Sequence, residues 1–232
     1  MPGEIGETRR TPPSRKDQFL PPHAIIVDNM VVDPAVQQAL VARILAAGLP
    51  DRPAETAASL GPVDLPDGTR RGLFVRFAAD GVLADRAGNI VLITRLHNPG
   101  IGRLAIPGGF VDLVNGQPED IVTTARRELA EETGIDAALL RDAALAGIGW
   151  RRYNRPFDLR IAWSDIPDTD IKKGDIFMAS TQPIYLRTDA DLTRTRLTAG
   201  DDATAARVVS PATITADTLG IPDQLGMIAE MP

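Results

Sequence analysis

PGGFVDLVNGQPEDIVTTARRELAEETGI, residues 107–135, is the stretch from which the rest of this chain is read. Its centre, Arg127-Glu128-Leu129-Ala130-Glu131-Glu132-Thr133-Gly134, packs three carboxylates into five residues. On a helix, Glu128 neighbours Glu131 at i+3 and Glu132 at i+4, so all three share one sector of surface. Like charges at that spacing repel by roughly a few tenths of a kcal/mol per pair. A bound cation removes that cost, and hard Mg²⁺ or Mn²⁺ takes oxygen ligands of this kind. A solvated acidic face, with Arg127 paired to Glu131, accounts for the same string without a metal.

The flanks give the centre its frame. Pro118 suits the first position of the helix, with Glu119 and Asp120 at the positive end of its dipole. Ile121, Ala125 and Leu129 recur at i+4 and face a core, and Gly134 supplies a left-handed stop. Upstream, the adjacent pair Gly108-Gly109 inside a strand-like stretch signals a bulge or a close approach of the backbone to something. Strands are expected over residues 73–77, 82–85 and 90–95 before the helix. After it, they are expected over 143–150, 159–163, 176–179, 184–186 and 206–209, with a last helix over 216–229. Strands on both sides of one central helix read as α+β or a mixed αβα sandwich.

Three segments divide the chain. Residues 1–20 are rich in Pro, Arg and Glu without periodicity and are expected to form a disordered arm. Residues 21–71 form an N-terminal extension of strand, helix and linker. In it, Asp33-Pro34 caps a helix carrying Val36, Leu40, Ile44 and Leu45. That extension is too small for a core of its own and is expected to dock on the main domain or on a second subunit. The main domain then runs over 72–232.

Composition closes off several classes. The chain has 232 residues, 44% of them hydrophobic, and a net charge of −6. That charge offers no basic footprint for nucleic acid or an anionic membrane. An acidic protein acting on a phosphate-rich substrate must neutralise charge locally, which again points to a divalent metal. With no cysteine there is no disulfide, zinc–thiolate site or thiol nucleophile. The first residues lack the apolar run of a signal peptide, and no stretch reaches the roughly 20 apolar residues of a membrane span. A soluble cytoplasmic protein is expected.

Residues 107–135 resemble the signature of the Nudix hydrolases, G-x5-E-x7-R-E-U-x-E-E-x-G-U, with U a bulky aliphatic residue. The match is gapless from Glu119 through Arg127, Glu128, Leu129, Glu131, Glu132 and Gly134 to Ile135. It departs at the front: the signature's first glycine would fall on Leu113, and the glycine pair sits four residues earlier than usual. A four-residue insertion in a loop over residues 113–117 accounts for this, and loops absorb such insertions at small entropic cost. The resemblance implies a Nudix fold with an N-terminal extension. It also implies Mg²⁺-dependent (or Mn²⁺-dependent) hydrolysis of a pyrophosphate bond in a nucleoside diphosphate linked to another moiety. It assigns Glu128, Glu131 and Glu132 as metal ligands, with the Gly109 carbonyl and Glu119 as further candidates, and Arg127 as the residue that orients the glutamates. The base that activates water is Glu128 or a carboxylate from a later loop, Asp201 or Asp202.

Substrate selection has to come from outside the signature. Trp150, Arg151, Arg152, Tyr153, Arg155 and Arg160 combine π surfaces with guanidinium groups, suited to stacking a base and gripping phosphate. The same run also reads as ordinary solvated surface. Residues 155–160, RPFDLR, resemble ADP-ribose pyrophosphatases and their relatives, which favours ADP-ribose or a nucleotide sugar as substrate. Those enzymes often carry an N-terminal segment that dimerises, so a homodimer is expected. A nucleoside triphosphate or an NADH-type dinucleotide is the alternative substrate. A nucleotide sensor that binds without cleaving is the alternative of another class. His97 reads as a loop residue.

Overall fold

The computed structural model describes residues 25–50, 53–97, 100–153, 159–200 and 202–232, Tyr153 by its backbone alone. The arm expected over residues 1–20, together with Arg155 and Asp201, lies outside them. In chain order the elements begin with β1 (Ile26–Val27), β2 (Met30–Val31), α1 (Pro34–Ala46), β3 (Ala57–Asp64), β4 (Arg70–Ala84) and β5 (Ile90–Arg95). The signature region holds β6 (Leu104–Ala105), β7 (Gly108–Phe110), β8 (Leu113–Val114), β9 (Gln117–Pro118) and α2 (Ile121–Thr133). Then follow α3 (Ala137–Asp142), β10 (Ala144–Ile148), β11 (Arg152–Tyr153), β12 (Leu159–Ile161), β13 (Ile176–Arg187), β14 (Ala203–Val209) and α4 (Gln224–Ala229).

One mixed sheet runs β1-β2-β12-β13-β4-β5-β14, with shorter strands paired along its margins. Its spine is the parallel pair β4 and β13, in register from Leu73 opposite Ile176 to Ala84 opposite Arg187. Successive side chains on a strand point to opposite faces. Leu83 therefore packs under α2 with Ala125 and Leu129, while Val82 and Ala84 meet Ile214, Leu219, Met227 and Ile228 of the C-terminal segment. Helical layers on both faces of a sheet make the αβα sandwich that the element order suggested. The N-terminal extension adds a third cluster, in which Val36, Leu40, Val41 and Ile44 of α1 cover Leu73, Val75, Ile176 and Met178.

Several local expectations change. The sequence suggested two strands over 73–77 and 82–85, yet β4 is continuous through Asp80 and Gly81. The ladder continues because the buried Asp80 carboxylate accepts a hydrogen bond from Gln224 Nε2 at 2.8 Å. β13 likewise joins the runs expected over 176–179 and 184–186. Residues 57–64, read as linker, form β3 against β4. Asp33 caps α1 as expected, Oδ1 accepting from Val36 N at 2.9 Å, but Leu45 turns outward. The final helix shrinks to α4, with a 3₁₀ turn at Ala216–Thr218 ahead of it.

The apparent insertion is a hairpin, β8–β9, pairing Leu113 with Pro118 and Val114 with Gln117. Asn115 (φ 54°) and Gly116 (φ 77°) are both left-handed, the two-residue geometry that matches strand twist and that Asn-Gly supplies. Glu119 N donates to Asp112 O at 2.9 Å. Hydrogen-bonded pairs alternate along an antiparallel ladder, so Pro118 falls where no N–H is needed. Pro118 is thus a strand residue, and α2 starts at Ile121 with Asp120 as its cap, Oδ1 accepting from Val122 N at 2.9 Å. Glu119 and Asp120 therefore precede the first turn.

A Cβ at Gly81 would lie 2.6 Å from Leu129 Cδ1 and 2.9 Å from the Ala125 carbonyl oxygen. Gly81→Ala is expected to lower unfolding free energy by about 1–3 kcal/mol through overpacking between β4 and α2. Urea denaturation with an unchanged m-value checks this; a loss below about 0.5 kcal/mol would mean that α2 shifts freely.

Candidate functional site

α2 buries Ile121, Ala125 and Leu129 and ends on Gly134 at φ 65°, with Glu128 and Glu132 set against the glycine strand and Glu131 exposed. Arg127 gathers most of them. Its Nε donates to Glu119 Oε2 at 3.1 Å, and its Nη1 donates to Glu128 Oε1 at 2.7 Å and to Glu131 Oε2 at 3.0 Å. Nη2 donates to Phe110 O at 2.9 Å and pairs with Asp112 Oδ2 at 3.2 Å. One guanidinium therefore ties the acidic helix to both ends of the hairpin and to β7.

The glycine pair explains itself against α2. A Cβ on Gly109 would overlap the Glu128 carboxylate, and one on Gly108 would overlap that of Asp80. Without side chains, the backbone of β7 lies directly on these acids, and Gly108 N donates to Glu132 Oε2 at 2.9 Å. Beyond the glycines opens a cleft of about 250 Å³, lined by Asp80, Arg95, Gly108, Gly109, Asp202 and Gln224 among others. The carboxylates of α2 thus stand behind the glycine strand, and Asp80 and Asp202 face the cleft.

Burial dominates the electrostatics. It raises the Glu132 carboxyl to about 8, against the Gly108 N–H bond, with Glu128, Asp80 and Asp202 pushing the same way. It raises Glu128 to about 7 despite Arg127, and Asp80 to about 7 despite Gln224. Burial alone would lower the Arg127 guanidinium, but Glu128, Glu119 and Asp112 outweigh it and raise it. Three acids held out of water, of which only Glu128 contacts Arg127, form an environment that an added divalent cation would relieve.

That donor set fits Mg²⁺ or Mn²⁺, which prefer carboxylate and carbonyl oxygen. Among the described residues no three carboxylate or imidazole side chains converge on a ligand position as they stand. Glu128 and Glu131 are turned onto Arg127 instead.

The residues expected to bind substrate separate. Arg160 borders the cleft. Arg151 spends its guanidinium on the Ser180 carbonyl and hydroxyl, Gln182 Oε1 and Pro50 O, tying β13 to the N-terminal extension. Arg152 pairs with Glu230, and the backbone of Tyr153 on β11 pairs with Ser180 of β13. Trp150 is 77% exposed. His97 Nε2 lies 3.5 Å from Asp202 Oδ1 at the rim, so the loop histidine has a cleft position. Sequence reasoning missed Asp80 and Gln224. A lone acid inside an otherwise apolar strand was the available signal for Asp80. Gln224 carried none, because its role depends on tertiary contact with Asp80 and with Ile106 N, which donates to Gln224 Oε1 at 3.1 Å.

A family model described as NUDIX domain matches residues 75–229, about two thirds of the chain. A 58-residue segment is 43% identical to the ADPR responsive transcriptional repressor NtrR of Acinetobacter baylyi, covering 25% of this chain and 22% of the repressor. Among solved structures, a bifunctional NMN adenylyltransferase/ADP ribose pyrophosphatase from Francisella tularensis matches at 17% identity and TM-score 0.46, covering 84% of this chain and 45% of that one. The NUDIX domain of Shewanella oneidensis NrtR, complexed with ADP ribose, matches at 16% and 0.43, covering 66% and 83%. The chain thus spans less than half the length of the repressor and of the bifunctional enzyme.

Raised carboxyl pKa values mean that the fold holds these protons more tightly than the unfolded chain does. Their stabilising contribution is complete below the ordinary carboxylate range and fades as pH rises toward about 7 for Asp80 and Glu128 and about 8 for Glu132. In EDTA, the thermal midpoint is expected to fall between about pH 5 and pH 8. Glu132→Gln, which keeps an acceptor for Gly108 N, should flatten that fall and raise the midpoint at pH 8 by roughly a few degrees. Parallel wild-type and variant curves would show that Glu132 ionises without cost.

Proposed function

This chain belongs to the Nudix domain family, and on that premise we propose that it is a divalent-metal-dependent pyrophosphohydrolase. Its favoured substrate is ADP-ribose or a nucleotide sugar, a nucleoside diphosphate linked to another moiety. The observation that carries this proposal is the contact of Glu128 and Glu132 with the glycine strand that borders the cleft. Glu128, Glu131 and Glu132, with the Gly109 carbonyl and Glu119, are the groups that would hold Mg²⁺ or Mn²⁺. When bound, such an ion neutralises phosphate charge and acidifies a coordinated water.

The chain's own residues supply the rest. Arg127 keeps Glu128 and Glu131 on one face of α2 and fixes Glu119 beside them. The bare backbone at Gly108-Gly109 sets the Glu128 and Glu132 carboxylates directly against the strand that borders the cleft. Arg160 lines the cleft and suits the second phosphate. The candidates to take the proton of the attacking water are Glu128 on the helix and, from the later loop, Asp201 or Asp202, of which Asp202 lines the cleft. Binding of ADP-ribose without cleavage is the second reading, favoured by the segment shared with the repressor of Acinetobacter baylyi.

A substrate panel of ADP-ribose, NADH, nucleotide sugars and nucleoside triphosphates with Mg²⁺ decides between them. AMP release from ADP-ribose is expected, stopped by EDTA and reduced at least about a hundredfold in Glu131→Gln and Glu132→Gln. Glu131→Gln should leave the thermal midpoint near wild type, since that side chain is 58% exposed. Silence across the panel with calorimetric binding of ADP-ribose would establish the sensor. Undiminished metal-dependent turnover in both variants would remove the glutamates from the mechanism.

A further inference from the structure

A second, larger cavity of about 400 Å³ adjoins the cleft, and the two share Phe110 and Arg160 in their walls. Its volume lies in the range of small-molecule sites. The β1–β2 hairpin of the N-terminal extension forms one side, with Asp28 and Asn29 at its turn. Both turn residues are left-handed, at φ 48° and 62°, a geometry Asp and Asn tolerate. Asn29 O accepts from Ile161 N at 2.7 Å, and Met30 pairs with Arg160, so the hairpin is pinned to β12. Asn29 itself is exposed and lines the cavity.

The other walls mix the aromatic Phe110, Trp163 and Phe177 with the aliphatic Ile161, Ile166 and Pro167. The Arg76 guanidinium lies 3.7 Å from the centre of the Phe110 ring, and its buried Nε has no hydrogen-bond partner. Phe177 is buried behind them, while Trp163 stands at the edge with 76% of its surface exposed. An indole left in water beside a partly aromatic cavity offers a planar, apolar-faced ligand both a stacking partner and shelter. An Asn amide can pair in bidentate fashion with the edge of an adenine.

We propose that this cavity is a purine-base subsite, in which Trp163 stacks on the base, Asn29 reads its edge, and Phe110 and Arg160 join it to the cleft that takes the diphosphate. The proposal rests on the pyrophosphohydrolase reading for the identity of its ligand. Phe110 directly follows the glycine pair on β7, so one strand presents bare backbone to phosphate and then a ring toward the base. The N-terminal extension thereby becomes a determinant of which nucleoside is accepted.

Trp163 reports on its own occupancy. The chain contains two tryptophans, and Trp150 lies outside this cavity's lining. In a Trp150→Phe background with EDTA, AMP is expected to quench the remaining fluorescence saturably. Ribose 5-phosphate, which has the sugar phosphate without the base, is expected to leave it unchanged. Asn29→Ala should weaken the AMP response about tenfold, and in turnover of ADP-ribose Trp163→Ala should raise KM about tenfold with kcat within twofold. Both positions are exposed, so these variants are expected to fold. No AMP-specific quench, or an unchanged KM in Trp163→Ala, overturns the subsite. Quenching without turnover of any substrate sinks the hydrolase and leaves the subsite standing.

Discussion

The parallel pairing of β4 with β13 is the constraint from which the other placements follow. β4 also pairs with β3, β5 and β7, so its register sets theirs. A slip of one residue would exchange the faces that meet α2 and the C-terminal segment. Because Ala78, Ala79 and Asp80 pair with Phe110, Gly109 and Gly108, the same register fixes where the glycine strand meets α2. The position of Glu132 against Gly108 N is thus a consequence of core packing some distance away. Gly81 belongs to this logic: the absence of its side chain is what lets Leu129 reach the strand.

Magnitudes decide what makes the acidic cluster costly. Repulsion between exposed acids three or four residues apart on a helix is worth roughly a few tenths of a kcal/mol. Raising Glu132 from 4.5 to about 8 corresponds to a cost on the order of several kcal/mol for its ionised form. Desolvation, not mutual repulsion, is therefore the larger effect, and Arg127 offsets it for Glu128 but has no contact with Glu132. A buried acid with so little compensation weakens the isolated fold. Such groups belong to sites where a charged partner is meant to arrive.

Much of this is legible in the amino-acid sequence. The signature from Glu119 to Ile135 carried the family, the apolar stripe on α2 and its glycine stop, and the glycine pair announced a close backbone approach. Residues whose meaning is tertiary were not legible. Asp80 looked like a break between strands because nothing nearby in sequence satisfies it; Gln224 does so from 144 residues away. Arg151 looked like a phosphate ligand because composition cannot show that Ser180, Gln182 and Pro50 already use its donors. Asn115-Gly116 carried a local hairpin signal, which the gap in the signature made easy to take for a loop.

That hairpin has a consequence for how such a domain can change. Its two ends are held together by Glu119 N on Asp112 O and by Arg127 on both acids, before the strands diverge into the turn. Whatever lies beyond the clamp is mechanically separate from the helix that follows. Residues can be added or removed at β8 and β9 two pairs at a time without rotating Glu119 or advancing α2, since hydrogen-bonded and non-hydrogen-bonded pairs alternate along the ladder. The interruption in the signature is thus a modular socket, where length can vary in steps of four while the acidic face behind it stays in place.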